Sequence, residues 1–537
     1  MNRSDIITLS FFVFQKPEAN PKKIERLKED CFMAKYLIGI DEGTTGCKTC
    51  VFDTEGNILG TAYREYPCYY PNPGWVEQEA EDIIPMLFES CKAAIQSSGV
   101  DPADIAVASF SAQGSLVCFL GEDNKPLRSF IGWQDVRCIK EREELFTMMA
   151  RDEQYKEVGA TQITQSIFKY YWVKKHQPEI WEKTARIATA MDYALYRFGA
   201  EEFYADASSC ARTGLFAVDD YAWSPKMLQL MGLKEEQLPK LAKLGQVVGH
   251  VPEEISRLTG LPVGCPLAVG AMDCCCSAFG TGSYADGEAS MVIGTYGASF
   301  ITSHKKVRDP YGLLMIKPYV PTQTWTIEGS ASCSASSYRW FRDVFCSLEK
   351  AAGKETGLSS YDMINNQIAT VAPGANGVTY LSYLQGADGV RDNSKCCGGF
   401  AGLRLGTTKA EMARAVMEGI CYELKVVVEH QLKTGVTLSG IRLAGGATNS
   451  PLWCQMLADI FQVPISVTSA KEAGCLGAAL IGGIGAGIYK DAEDASKQAC
   501  RIVHTYQPNP ENFAAYEDGY RRFNKLYDAL STGFYNE

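Results

Sequence analysis

Short apolar runs, broken by glycine and threonine, open this chain and return in its second half. Tyr36-Leu37-Ile38-Gly39-Ile40 is followed by Asp41-Glu42-Gly43-Thr44-Thr45-Gly46, then by a second apolar run from Cys47 to Phe52, and then by Asp53-Thr54-Glu55-Gly56-Asn57. Runs of that length between turn residues predict strand, turn, strand, turn: a β-hairpin at the start of an α/β domain. Apolar residues recur with a period near 3.6 from Glu79 to Ser97, which predicts a helix, and Ile105 to Phe110 reads as a buried strand. The stretch from Glu141 to Met231 is expected to be mostly helical and, rich in Trp and Tyr, to cap the first domain as an insertion.

Near Gly264 the pattern restarts. Leu267 to Gly270 is a short apolar strand ended by Gly270-Ala271-Met272-Asp273, and Ser290 to Ile301 holds two apolar runs around Gly294-Thr295-Tyr296-Gly297. Farther on, a strand at Ile441 to Leu443 leads through Ala444-Gly445-Gly446-Ala447-Thr448-Asn449-Ser450 into a helix from about Leu452 to Phe461. Leu476 to Tyr489 reads as a glycine-rich, tightly packed helix. Two similarly built domains facing a cleft are the economical inference.

Composition narrows the class. At 537 residues, 46% hydrophobic and 21% charged, the chain is expected to form more than one globular domain. Its 52 basic and 63 acidic residues give a formal charge of −11, which argues against nucleic acid or an anionic membrane as the main partner. No apolar segment is long enough to span a bilayer. Twenty cysteines include the neighbours Cys274-Cys275-Cys276 and Cys396-Cys397, which pair badly, so reduced thiols in a cytosol are expected. Cys47-Lys48-Thr49-Cys50 matches C-x-x-C, yet no second pair follows at zinc spacing, and the better reading is small apolar strand residues. Ile6 to Phe14 fails as a signal segment because Asp5 sits in its basic flank and no A-x-A site follows. Residues 1–32 are expected to lie outside the fold, so that a chain begun at Met33 turns over like the full one.

The turns carry the candidate chemistry. Small residues at Gly43, Thr44, Thr45 and Gly46 let backbone N–H groups converge on an anion, the threonine hydroxyls add donors, and Lys48 adds a positive charge within reach. Asp41 cannot favour phosphate by itself and makes sense if Mg²⁺ bridges the two. Gly294 and Thr295 offer the same donors from the second domain, and Gly445 and Gly446 before a helix suit a nucleotide lying flat on the backbone. Asp273 is placed either as an N-cap or as a general base that takes a proton from a substrate hydroxyl. Plain hairpin and β–α turns are the bland alternatives for these loops.

With these motifs in order, the chain resembles a carbohydrate kinase of the FGGY family. Asp41 to Lys48 resembles the family's first phosphate motif, and Pro73-Gly74-Trp75-Val76-Glu77-Gln78 its substrate-side segment. Trp133-Gln134-Asp135-Val136-Arg137 matches W-x-D-x-R, Gly270-Ala271-Met272-Asp273 the strand end with the catalytic aspartate, and the stretch 444–459 the adenine-side motif. The resemblance implies two actin-like, ribonuclease-H-type α/β domains, 33–275 on the sugar side and 276–537 on the ATP side, closing on ATP and a sugar or polyol. It most resembles xylulokinase, with Ser337 to Asp343 and Lys471 to Gly474 similar also to autoinducer-2 kinases.

The implied roles follow residue by residue. Asp273 is the expected base and Asp41 the Mg²⁺ partner; Thr44, Thr45, Lys48, Gly294 and Thr295 hold phosphates, with Gly445, Gly446 and Ser450 near the adenosine. Gln113, Gly114, Ser115, Trp133 and Asp135 are expected around the sugar, Trp133 offering a ring face unless it packs in the core. Glycerol kinases carry Arg-Glu and xylulokinases Met-His where this chain has Gly114-Ser115, so the pocket is expected to be roomier and less charged there, with glycerol poor and a ketopentose such as xylulose preferred. Gluconate, erythritol and autoinducer-2 are alternative acceptors, and a non-catalytic nucleotide sensor is the rival class. A small sugar or polyol is the expected partner, and a homodimer is left open.

Overall fold

The computed structural model describes residues 36–387 and 389–536; the N-terminal extension singled out above lies outside the described residues. Two mixed sheets dominate. In the first, the strands Tyr36–Glu42, Gly46–Asp53 and Ile58–Glu65 run antiparallel as neighbours, and Ile105–Ala112 and Pro266–Met272 add in parallel on the other side of Tyr36–Glu42. An antiparallel strand, Val247–His250, closes the edge. The second sheet repeats this plan. Glu288–Ile293 pairs antiparallel with Gly297–Ser303, and that with Thr324–Ala331, while Gly440–Gly445 and Ile465–Thr468 add in parallel and Ile502–Tyr506 is the antiparallel edge. Met315–Tyr319 extends the sheet beyond Thr324–Ala331. The restart read near Gly264 is therefore a repeat of topology as well as of pattern.

Both faces of the first sheet are covered, which is why its strands read as continuous apolar runs. Ile38, Ile40, Cys47 and Val51 point into a core with the helix Ala80–Ser98, whose Ile83, Ile84, Leu87 and Cys91 are buried. Leu37, Cys50 and Phe52 point the other way, into a core with Cys475, Leu476, Ala479 and Leu480. Cys47 and Cys50 thus face opposite sides of the sheet, and C-x-x-C here is strand alternation. The segment 139–231 is mostly helical, from Ile139–Met148 to Pro225–Met231, with a core around Phe168, Tyr170 and Trp223 that it shares with Phe119, and one short hairpin, Phe216–Ala217 with Ala222–Trp223.

The glycine-rich helix spans Ala473–Gly485 and, although late in sequence, packs on the first sheet. A Cβ on Gly39 would stand 1.9 Å from the Cys475 carbonyl oxygen, and one on Gly477 1.9 Å from that of Cys276. Strand 36–42, helix 473–485 and helix 273–280 therefore meet backbone to backbone, which only glycine allows. Gly39→Ala is expected to cost about 1–3 kcal/mol through forced displacement of that helix, read as a lower melting temperature; an unchanged melt would show that the helix yields freely.

Candidate active site

Asp41, Ser111 and Asp273 stand at the carboxyl ends of three adjacent parallel strands, since Asp41 pairs in register with Ser111, and Ala112 with Met272. Ligands in open α/β sheets collect at this edge. Asp41 Oδ1 accepts from Ser111 Oγ at 2.6 Å. Burial, with the charges of Asp273 and Glu472, pushes its carboxyl up to about 6 against the Ser111 bond and Lys48. Asp273 is the first residue of the helix Asp273–Gly280, and its Oδ1 accepts from Cys274 N at 2.6 Å. Burial raises its pKa; the Cys274 N–H and the Lys317 charge oppose the rise. Behind it the buried Lys317 ammonium pairs with Glu328 and donates to Cys274 Sγ at 3.0 Å.

The first turn is stripped of acceptors. Tyr66 Oη donates to the Gly43 carbonyl, Gln78 Nε2 to that of Thr44 at 2.8 Å, and Tyr66 N to that of Thr45 at 3.3 Å, so the turn's remaining capacity is to donate. The Gly294 turn is built alike: the helix Ala335–Phe345 sends Ala335 N to the Gly294 carbonyl at 2.7 Å, and Ser334 N and Ser336 Oγ reach that of Thr295. Thr45 and Thr295 are exposed.

Several sequence expectations change here. Lys48 is not a free cation: its Nζ donates to Glu472 at 2.8 Å, an ion pair between the two halves of the chain. Ser450 is buried, and its hydroxyl accepts from Trp453 N at 3.3 Å, capping the helix Pro451–Phe461 rather than facing a nucleotide. Gly445, at φ 86°, is demanded by the neighbouring strand, since a Cβ there would lie 2.5 Å from the Ile293 oxygen; Gly446 opens on free space.

Asp135 is the largest correction. It is 0% exposed, and its oxygens take Val76 N, Arg137 N and the Arg137 guanidinium at 2.6–3.0 Å, which leaves no face for a sugar. Arg137 also donates to Glu77 at 2.8 Å and lies 3.8 Å over the Trp75 ring. The W-x-D-x-R and Pro73–Gln78 motifs, read apart in the sequence, are thus one buried staple. It presents Trp133, which is 36% exposed rather than in the core and donates from Nε1 to Thr44 Oγ1 at 2.9 Å.

Gln113 is buried; its Nε2 donates to Gln78 Oε1 at 3.1 Å, and its Oε1 has no partner among the described residues. Beside it the buried Glu42 carboxyl is pushed up to about 8, by burial first and then by the charges of Asp41 and Asp192. The pocket at Gly114 and Ser115 is neither roomier nor less charged. A Cβ on Gly114 would lie 2.7 Å from Met272 Sδ and 3.0 Å from Arg212 Cγ, and Ser115, held at φ 61°, accepts from Arg212 Nε at 3.1 Å. Arg212, Lys169, Lys317 and Glu42 were not singled out from sequence. Arg212 and Lys169 lie in the helical insertion, where no motif or period marks them, whereas Ser111, polar inside an apolar strand, could have been noticed.

Chain-wide comparisons agree with this architecture. Residues 36–280 match the N-terminal domain of the FGGY family of carbohydrate kinases and residues 289–486 its C-terminal domain. The chain is 28% identical to a gluconokinase of Bacillus licheniformis over 512 residues, 94% of this chain and 97% of that one. It is 27% identical to a xylulose kinase of Staphylococcus epidermidis over 495 residues, 92% and 96% of the two. The crystal structure of a ligand-bound xylulose kinase from Lactobacillus acidophilus superposes with a TM-score of 0.84 at 24% identity, covering 93% of this chain and 99% of that one. With two domain models in order along most of its length, the chain belongs to the FGGY family of carbohydrate kinases and is an ATP-dependent sugar kinase.

Proposed function

We propose that the protein transfers the γ-phosphoryl of ATP to a hydroxyl of a small open-chain sugar or polyol, with Asp273 as the base, in the cleft between the lobes built on the two sheets. The observation that carries the reading is Asp273 itself, a half-buried carboxylate at a parallel strand end, flanked by Asp41 and by a turn whose carbonyls are all engaged. In this reading Thr44, Thr45 and Thr295 donate to phosphate oxygens, whereas the Gly294 N–H is already given to the Tyr296 carbonyl at 3.1 Å and shapes the turn; Gly446 leaves room for the nucleoside, and Trp133 and Gln113 face the acceptor. Burial keeps the Asp273 carboxylate poorly solvated and therefore basic, ready to take the hydroxyl proton as the oxygen attacks.

Mg²⁺ fits the donor set. Asp41 offers one carboxylate bonded only to a serine hydroxyl, and no cluster of three or more His, Cys, Asp or Glu forms a cage among the described residues. Asp41 would hold such a cation by a single carboxylate and leave it most of its waters. When bound, the ion neutralises developing phosphate charge. Asp41→Asn is expected to raise the Mg²⁺ concentration for half-maximal rate by about tenfold or more; an unchanged Mg²⁺ curve would remove Asp41 from that role.

The acceptor is the finer question. The relatives' names supply xylulose, the acceptor expected from sequence, and gluconate, which differs by carrying a carboxylate. Coupled ADP release across xylulose, ribulose, gluconate, erythritol and glycerol tests the reading; ADP formation that no acceptor stimulates would defeat it. The arginine standing over Gly114 favours gluconate-like chemistry.

A further inference from the structure

Two cations sit on the sugar side of Asp273 with no ion-pair partner among the described residues, although the charges of Asp273 and Asp135 reach Arg212 and Lys169 respectively. Arg212 is 6% exposed; its Nε donates to Ser115 Oγ at 3.1 Å, its Nη2 to Thr164 Oγ1 at 2.9 Å, and its Nη1 reaches only the thioether of Met315. Lys169 is 0% exposed, and its Nζ donates to the carbonyls of Trp133 at 3.4 Å and Thr164 at 3.2 Å. Neither is in an ion pair among the described residues, whereas the nearby Arg137 is paired with Asp135 and Lys317 with Glu328. Buried charge without a counter-charge is costly, so a pair of this kind is retained where a ligand completes it. Asp273 is the anion whose field reaches Arg212, and it is committed to the base role. Arg212 lies against half-buried Gly114, where any other residue would displace it, and Ser115 holds an uncommon positive φ that lets its hydroxyl both accept from Nε and donate to the Arg212 carbonyl.

We propose that the acceptor is an open-chain sugar acid, its carboxylate held by Arg212 with the field of Lys169 behind it; the proposal rests on the kinase reading above. A guanidinium recognises a carboxylate through two parallel bonds, and a sugar hydroxyl offers no equivalent. Burial and the Arg212 charge, against Cys138, already draw the Lys169 ammonium down to about 8, and a bound carboxylate would restore its hold on the proton. Arg212 is a specificity-determining residue in this account.

The experiment compares acids and neutral partners of equal carbon number, gluconate against glucitol and xylonate against xylulose and xylitol, by ADP release and by calorimetric binding without ATP. The acid of at least one set is expected to exceed its neutral partners about 10- to 100-fold in kcat/KM and in affinity. Arg212→Gln should erase that preference through the acceptor's KM while the KM for ATP stays put; Arg212→Lys should keep part of it. Should both variants fail to fold, the wild-type comparison alone decides. A neutral sugar that matches or beats its acid overturns the proposal and leaves the kinase reading intact. Absence of ADP release with every acceptor defeats the kinase reading instead, and equal or absent binding of the acids then overturns the proposal as well.

Discussion

Asp273→Asn is expected to lower phosphoryl transfer by a factor of about 10²–10⁴ while leaving ATP affinity nearly unchanged, since the amide keeps the shape and the Cys274 N–H bond but cannot take a proton. Stability supplies the control. Burial raises the folded pKa of Asp273 above its unfolded value, so the folded state holds the proton more tightly and the group's contribution to stability falls as pH rises through that window. At neutral pH the ionised side chain is a burden that Asn removes, so the variant should melt at or above the wild-type temperature. The same shift places the acid limb of kcat/KM above the ordinary carboxylate range, and the limb should vanish in the residual activity of the variant. Near-normal turnover in Asp273→Asn would return the residue to a helix-opening role only.

Asp135→Ala is expected to cost about 3–5 kcal/mol, because it takes from the wholly buried Arg137 guanidinium the carboxylate that engages both its Nε and Nη2 and leaves it only Glu77, which Arg128 shares. The melting temperature should fall by something on the order of 10 °C. Arg137 also holds Glu77 and covers Trp75, so the loop 73–78 and Trp133 should lose their fixed positions, and the acceptor's KM should rise as a consequence. The double variant Asp135→Leu with Arg137→Met, which leaves no unpaired charge, should recover much of the stability. If instead Asp135→Ala raises the acceptor's KM with no change in the melt, the residue is a sugar ligand after all.

These two aspartates divide what is legible from what is not. Asp273 is visible in sequence because it breaks an apolar strand at its end, and the strand's own periodicity fixes where that end lies. Asp135 sits in a motif equally visible, but its role depends on which partner claims it, and Arg137 two residues on and Val76 from a separate loop claim both oxygens. Lys48 teaches the same lesson over a longer span: its charge is met by Glu472, 424 residues away.

By itself the sequence determined the duplicated strand, turn, strand plan, the two Gly/Thr turns, the strand ends that carry Asp41 and Asp273, and the strand character of Cys47 to Cys50. All of these follow from local rules, the two-residue alternation of a strand and the backbone freedom of glycine in turns and close approaches. Tertiary structure alone decided that helix 473–485 completes the core of the first sheet, that two motifs form one buried staple, and that Arg212 stands over Gly114. Those outcomes turn on which distant side chains share one low-dielectric space, where every buried donor and charge must find a partner, and no periodicity along the chain records that competition.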